Sequence, residues 1–159
     1  MILMVRCFYL VVCLALVFTG CSALNDGKLT DLDGETLITS ENFGKITGVQ
    51  WQLEKITKDG KDIPPIGERP FIKFEEEGRF SGFTGINRFF GSMKIDSQGN
   101  LKLAQVGATK MAGPEQEMRQ EFMFLDLFPR IERLRMEGIY LYGLTKDKQA
   151  ELKFYVPVN

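Results

Sequence analysis

The sequence predicts an α+β fold: a curved, mainly antiparallel β-sheet, forming a partial barrel of seven or eight strands, with one α-helix inserted between two strand groups. Three observations carry that expectation. From residue 46 onward, apolar and polar residues alternate with a period of two in segment after segment. Asp-Gly, Glu-Gly and Gly-Asn pairs punctuate these segments at short intervals. Residues 114–128 change to a three-to-four spacing, and they fall between two runs of strands.

Residues 1–20 stand apart from that fold. Arg6 precedes an apolar run from Cys7 to Phe18, which gives the charged start and apolar middle of a secretory signal. The run is shorter than the stretch of about 20 residues that spans a bilayer. Either Met1 or Met4 can serve as the start. The run ends in Phe18, Thr19, Gly20 and Cys21, which resembles a bacterial lipobox although Phe18 replaces the usual leucine. The resemblance implies that lipoprotein signal peptidase cleaves before Cys21 and that Cys21 carries the lipid. An ordinary signal with a free Cys21, or an uncleaved anchor, are the other readings. Acyl chains contribute roughly 0.8 kcal/mol per buried methylene, so two or three hold a protein on a membrane stably. Ser22, rather than Asp, follows the cysteine, which resembles the class sorted to the periplasmic face of the outer membrane.

Residues 21–45 are rich in Asp, Gly, Thr, Ser and Asn and read as a flexible tether, with one ordered turn or strand near residues 36–38. Such a chain has an r.m.s. reach of roughly 25–30 Å. The domain proper is expected over residues 46–159. Val49, Trp51 and Leu53 alternate with Gln50, Gln52 and Glu54 as the first strand. Asp59-Gly60 and Pro64-Pro65 mark a loop. Strands are expected at residues 71–74, 79–83, 88–95 and 101–103, with Phe89, Met93 and Ile95 sharing a face of the third. In the helix over residues 114–128, Pro114 suits the first helical position, and Glu115 and Glu117 suit the positive end of the dipole. Met118, Phe122 and Leu125, with Met111 or Phe128, form its expected buried stripe, and Pro129 stops it. Three more strands follow at residues 131–136, 139–144 and 150–156.

Composition excludes several chemistries. The 159 residues contain no histidine, so no Ser-His-Asp or Cys-His pair and no His-ligated metal site is available. A formal net charge of -1 gives no support for nucleic-acid binding. Of the three cysteines, Cys7 and Cys13 leave with the signal and Cys21 carries lipid, so the mature domain holds no thiol. Asp31, Asp33 and Glu35 alternate loosely like calcium ligands, yet Gly34 is misplaced for an EF-hand loop and the twelfth-position glutamate is missing. Ser81 with Lys110 is a formal nucleophile-base pair without geometric support. No cofactor is expected.

Residues 81–91, Ser-Gly-Phe-Thr-Gly-Ile-Asn-Arg-Phe-Phe-Gly, form a hairpin of unusual glycine density. Gly85 and Asn87 tolerate positive φ in a tight connection, and Gly82 and Gly91 mark a bulge or a close approach. This stretch, with Trp51, Gln52 and Leu53, with Pro70 to Phe74, and with Ala108, Thr109, Lys110, Met111 and Ala112, resembles the META domain, the HslJ-like family of small bacterial lipoproteins and secreted proteins. The resemblance runs from about Val49 to Phe154. It implies a small α+β domain and, through the association of family members with heat-shock induction and novobiocin resistance, a stress or envelope-integrity role; the absence of histidine is the main reason no enzyme is expected. The resemblance also implies cysteines at the positions of Ile86 and Gly113, bonded to each other in relatives and absent together here.

Arg79, Asn87, Arg88, Thr109 and Lys110 are expected to line a polar edge of the sheet, either as a recognition patch for an envelope protein or as hairpin structure. Trp51, Phe71, Phe80, Phe83, Phe89 and Phe90 are expected in the core; the alternative is an apolar cavity under the curved sheet for a lipid or small amphiphile. The expected protein is therefore a monomeric domain, held to the membrane through Cys21, that acts as a binding or assembly module.

Overall fold

A computed structural model describes residues 34–157. Cys21 and the whole signal segment lie outside the described residues. Ten strands form one sheet: β1 (Glu35–Leu37), β2 (Gln50–Lys58), β3 (Lys61–Ile63), β4 (Phe71–Phe74), β5 (Arg79–Phe83), β6 (Arg88–Ile95), β7 (Leu101–Ala108), β8 (Ile131–Glu137), β9 (Tyr140–Thr145) and β10 (Ala150–Tyr155). One helix, α1 (Glu115–Leu127), separates β7 from β8. The strand order is β1-β8-β9-β10-β2-β4-β5-β6-β7, with β3 paired to β2, and every named pairing is antiparallel. The α+β expectation holds, with ten strands where seven or eight were expected. The two additional strands, each three residues long, are β1, at the place of the ordered turn or strand expected near residues 36–38 of the tether, and β3, in a segment whose composition reads as loop.

Period-two alternation places the core. Trp51, Leu53, Ile72, Phe74, Phe80, Phe89, Met93, Leu141, Leu152 and Phe154 are buried, while their sequence neighbours face outward. Under the curved sheet, Phe89 packs edge-on against Phe124 and Phe128, both with ring centroids 5.3 Å away, and Phe80 meets Phe128 at 5.3 Å. Phe124 stacks on Phe128 at 5.6 Å and meets Phe154 edge-on at 6.4 Å. These rings fill the space in which a carried lipid would have to sit. Phe71 and Phe83 are half-buried on the outer face, and Phe90 is exposed, because β6 turns Phe89 inward and its neighbour outward.

The helix also departs from its expected register. Pro114 is the N-cap and Glu115 the first helical residue. Gln120, Phe124 and Leu127 face the core, followed by Phe128, whereas Met118 and Phe122 are exposed. A polar side chain occupies the buried stripe because its amide finds two backbone partners: Ile66 N–H donates to Gln120 Oε1 at 2.6 Å, and Gln120 Nε2 donates to Ile66 O at 3.3 Å.

The folded unit starts ahead of residue 46. β1 pairs with β8, Ile38 N–H donates to Leu134 O at 2.9 Å, and Ser40 N–H donates to Asp96 O at 3.0 Å. Ile38 and Ile46 are fully buried, and Trp51 Nε1–H donates to Ile46 O at 2.9 Å. Residues 35–46 therefore form a strap across the seam between β8 and the β6-β7 turn. Arg133 closes the same seam from β8, donating to Gln98 O at 3.0 Å and Asn100 Oδ1 at 3.1 Å.

The barrel thus has two different ends. At one, α1 covers the β5-β6 hairpin. At the other, the strap reaches the β6-β7 turn. The ends are separated by the length of β6, eight residues or roughly 25 Å.

Candidate functional site

The glycine-rich hairpin is first a piece of architecture. Residues 84–87 connect β5 to β6, with Thr84 N–H donating to Asn87 O at 2.8 Å. Gly85 has φ 105°, a left-handed conformation that a side chain would strain. A Cβ on Gly82 would lie 2.3 Å from Phe71 O, so β4 and β5 can pair only because that position is bare.

Asn87 is the centre of the cluster. It is 2% exposed and uses all four hydrogen-bonding positions of its amide. Its Oδ1 accepts from Thr109 Oγ1 at 2.8 Å and from Met111 N–H at 2.7 Å. Its Nδ2 donates to Met111 O at 3.1 Å and to Glu121 Oε2 at 3.0 Å. Thr84, also buried, accepts from Asn87 N–H at 3.0 Å, and its hydroxyl donates to Glu121 Oε1. One carboxylate on α1 therefore accepts from both ends of the hairpin, and one amide ties the hairpin to residues 109–111. The Thr84 and Thr109 hydroxyls are committed to this lattice. What the cluster does chemically is hold three segments in register.

That lattice presents a groove. Glu68, Phe71, Phe83, Arg88, Thr109 and Met111 line an open surface depression of about 420 Å³. Phe71 and Phe83 are register partners on β4 and β5, with ring centroids 6.1 Å apart. Arg88 is the register partner of Phe83, and its backbone N–H donates to Thr109 Oγ1 at 3.1 Å. A second depression of about 350 Å³ near the β9-β10 turn carries Lys58, Arg130 and Lys146 against Asp59, Glu132 and Asp147, a balanced set of charges.

The five residues expected to form one polar edge are thereby divided. Asn87 is buried and Thr109 is bonded to it, so both hold the fold. Arg88 and Thr109 reach the groove, and Lys110 is exposed next in sequence. Arg79 lies at the other end of β5, exposed and 3.6 Å from Glu75. Glu121 and Gln120 were not legible as contributors, because helix periodicity counts apolar residues and passes over polar ones that point inward. Glu68 has no sequence signal, and Met111, legible as part of the family motif and as a candidate for the helix's buried stripe, is instead exposed ahead of α1; the pairing of β4 with β5 and the Asn87 lattice bring the two together.

On the outer face of β8, β9 and β10, a second polar assembly stiffens the sheet. Arg135 lies over the Tyr142 ring at 4.3 Å and pairs with Glu35 of the strap. Lys153 lies over the Tyr140 ring at 3.7 Å and pairs with Glu54 at 3.1 Å. Burial, with Glu137 nearby, pushes the Tyr142 phenol up to about 12.

The family model of the META domain matches residues 44–157. Among curated proteins, none matches the chain. Three solved structures share the fold. A protein from Burkholderia xenovorans, solved by NMR, is 18% identical with a TM-score of 0.65, over 85% of this chain and 97% of that one. A second NMR structure is 20% identical with a TM-score of 0.54, over 71% and 92%. A DUF4847 family protein from Bacteroides vulgatus is 12% identical with a TM-score of 0.52, over 69% and 93%.

Proposed function

The chain belongs to the META domain family, and from that premise we propose that it is a lipoprotein of the cell envelope. In this reading it is anchored through Cys21 at the periplasmic face of the outer membrane, and it serves as a non-enzymatic binding or assembly module with a stress or envelope-integrity role. The lipobox-like Phe18, Thr19, Gly20 and Cys21 support the anchor. The polarity of the domain supports the binding role and is the observation that carries it. The chain enters the fold at Glu35, at the strap end. Of the six large apolar side chains exposed among the described residues, Ile139 lies at that end, in the β8-β9 turn. The other five, Ile66, Phe90, Met111, Met118 and Phe122, lie on or beside the helix end, with Phe122 76% exposed and Met111 58%. A tethered domain with its apolar surface at the far end is suited to meeting a partner away from its own lipid. The alternative, a carrier with a lipid under the sheet, would need the space that Phe80, Phe89, Phe124, Phe128 and Phe154 occupy.

Two measurements test this. Radiolabelled palmitate should enter the wild type and not Cys21→Ala; equal labelling, or none in either, refutes the anchor. A photocrosslinking residue at Phe122 or Met111 should capture an envelope protein in the native cell, and the same residue at Ile139 should not. Capture at Ile139 alone would refute the assignment of the binding surface, and capture at none of the three would refute the binding role.

A further inference from the structure

The binding-module reading leaves open what the groove between β4, β5 and residues 109–111 takes. Its floor is apolar: Phe71, Phe83 and the exposed Met111. Its walls are fixed before anything binds. Met111 is held by both of its backbone hydrogen bonds to Asn87, and Arg88 by its reciprocal backbone contacts with Thr109 (3.1 and 3.0 Å). On the opposite side, the loop that carries Glu68 is pinned by Gln120 to Ile66. It crosses the hairpin so closely that a Cβ on Gly85 would lie 3.1 Å from Glu68 O.

Two charges on these walls are unspent. Among the described residues there are seven arginines. Arg69, Arg79, Arg119, Arg130, Arg133 and Arg135 each place the guanidinium on a carboxylate, an amide oxygen or a carbonyl. The exception is Arg88, which bonds through its backbone only. Glu68, across the groove, likewise has no side-chain partner among the described residues, and the two do not reach one another. A cation and an anion held apart over an aromatic floor favour a ligand with the same three features in complementary order.

We propose that this groove binds a short segment of a protein partner in which an apolar side chain, best an aromatic one, stands between an acidic residue and a basic residue. The apolar side chain lies on Phe71, Phe83 and Met111. The acidic residue meets the Arg88 guanidinium, which accommodates a carboxylate through two parallel N–H donors. The basic residue meets Glu68. The volume suits a few residues rather than a two-chain lipid, and the groove is open at its sides, so a chain can continue beyond it across the exposed surface beside α1. Rigid walls lower the ordering cost of binding, and the opposed charges set the direction in which the segment lies.

The test uses the full chain and four capped tripeptides: Lys-Phe-Asp, Asp-Phe-Lys, Ala-Phe-Ala and Lys-Phe-Lys, each acetylated and amidated, titrated at millimolar concentration against backbone amide shifts. One of the two dipolar peptides should bind about tenfold more tightly than Ala-Phe-Ala, as two partly exposed ion pairs would give. It should shift the amides of Phe83 and Thr109, and lose its advantage in high salt. In the double variant Glu68→Arg with Arg88→Glu, the preference should pass to the other dipolar peptide. Both side chains are exposed, and unchanged Asn87 and Met111 amide shifts verify the fold. The proposal is overturned if neither dipolar peptide exceeds both controls, or if the preference survives the charge exchange. It is also overturned if lysophosphatidylglycerol micelles saturate the groove while the peptides do not. Capture of a partner at Phe122 alongside any of these results would leave the binding-module reading standing without this assignment of the groove.

Discussion

Replacing Ile86 and Gly113 together by cysteine should produce a disulfide and a more stable domain. Ile86, 8% exposed in the β5-β6 hairpin, packs directly on Gly113. A Cβ built on Gly113 falls 2.7 Å from Ile86 Cδ1, 3.0 Å from Cγ1 and 3.2 Å from Cγ2. An S–S bond of about 2.04 Å with ordinary bond angles separates one sulfur from the opposite Cβ by about 3.0 Å. A cysteine sulfur at residue 86 in either γ position is therefore already close to bonding distance from the second cysteine. The overlap with Cδ1 disappears, because cysteine has no δ atom. The ring would enclose about 28 residues, which the chain-entropy relation values at about 3.6 kcal/mol. Losing part of the buried isoleucine costs about 1–1.5 kcal/mol. The net gain of about 2 kcal/mol corresponds to roughly 6–10 °C in a domain of this size. Non-reducing peptide mapping identifies the 86–113 crosslink independently of Cys7, Cys13 and Cys21, and melting with and without reductant gives the gain. A pair that stays reduced in air would refute the geometry. A formed crosslink with no rise in Tm would refute the energetics. Gly113→Ala alone should destabilise, because Ile86 is then still in place.

Asn87→Leu should cost about 3–5 kcal/mol, since it leaves the Met111 N–H, the Thr109 hydroxyl and Glu121 without their buried partner; urea unfolding measures it, and a loss below 1 kcal/mol would show that water replaces the amide. Ile38→Ala should cost about 2–4 kcal/mol and speed hydrogen exchange at the strap and along β8, with β4 and β5 unaffected; uniform acceleration would show that the strap is not a separable unit. Tyr142 should titrate near pH 12, above an ordinary phenol near 10, read as phenolate absorbance. Because its folded pKa is raised, the stabilisation it contributes is complete below pH 10 and is lost as the pH rises from 10 toward 12. A Tyr142 phenol that ionises near pH 10 would contradict its burial.

Eight of the ten strands are legible in the sequence because each buries one face, and burial writes a period of two into residue identity. β1 is legible only as an ordered turn or strand near residues 36–38 and β3 not at all, because three residues are too few for a period and neighbours supply their partners. Ile38 shows the limit: within a polar, glycine-bearing segment, one isoleucine anchors the strap by filling a hole at the barrel seam, and nothing around it in sequence signals that hole. The helix shows the opposite failure. Met118 and Phe122 are apolar and evenly spaced, yet they face outward, while Gln120 faces inward because the Ile66 backbone is there to receive its amide. Apolar identity reports the cost of exposure, and geometry decides whether a polar group can avoid the cost of burial.

The same distinction separates the two halves of the hairpin's chemistry. Asn87 and Arg88 are adjacent polar residues and read alike in sequence, but Asn87 closes the turn, buried, while Arg88 opens β6, exposed. The amide of Asn87 enters a buried lattice in which each of its donor and acceptor positions is used, and Arg88 leaves it with its backbone fixed and its guanidinium without a partner among the described residues. The two roles are coupled: the bonds that immobilise Thr109 and Met111 around Asn87 also set the groove wall from which the Arg88 guanidinium projects. In this chain that lattice and the Ile86–Gly113 contact join the same two segments, the hairpin and residues 109–113. The hydrogen bonds of Asn87 already hold in register what a crosslink there would hold, which is how the domain keeps a rigid groove with no thiol among its described residues.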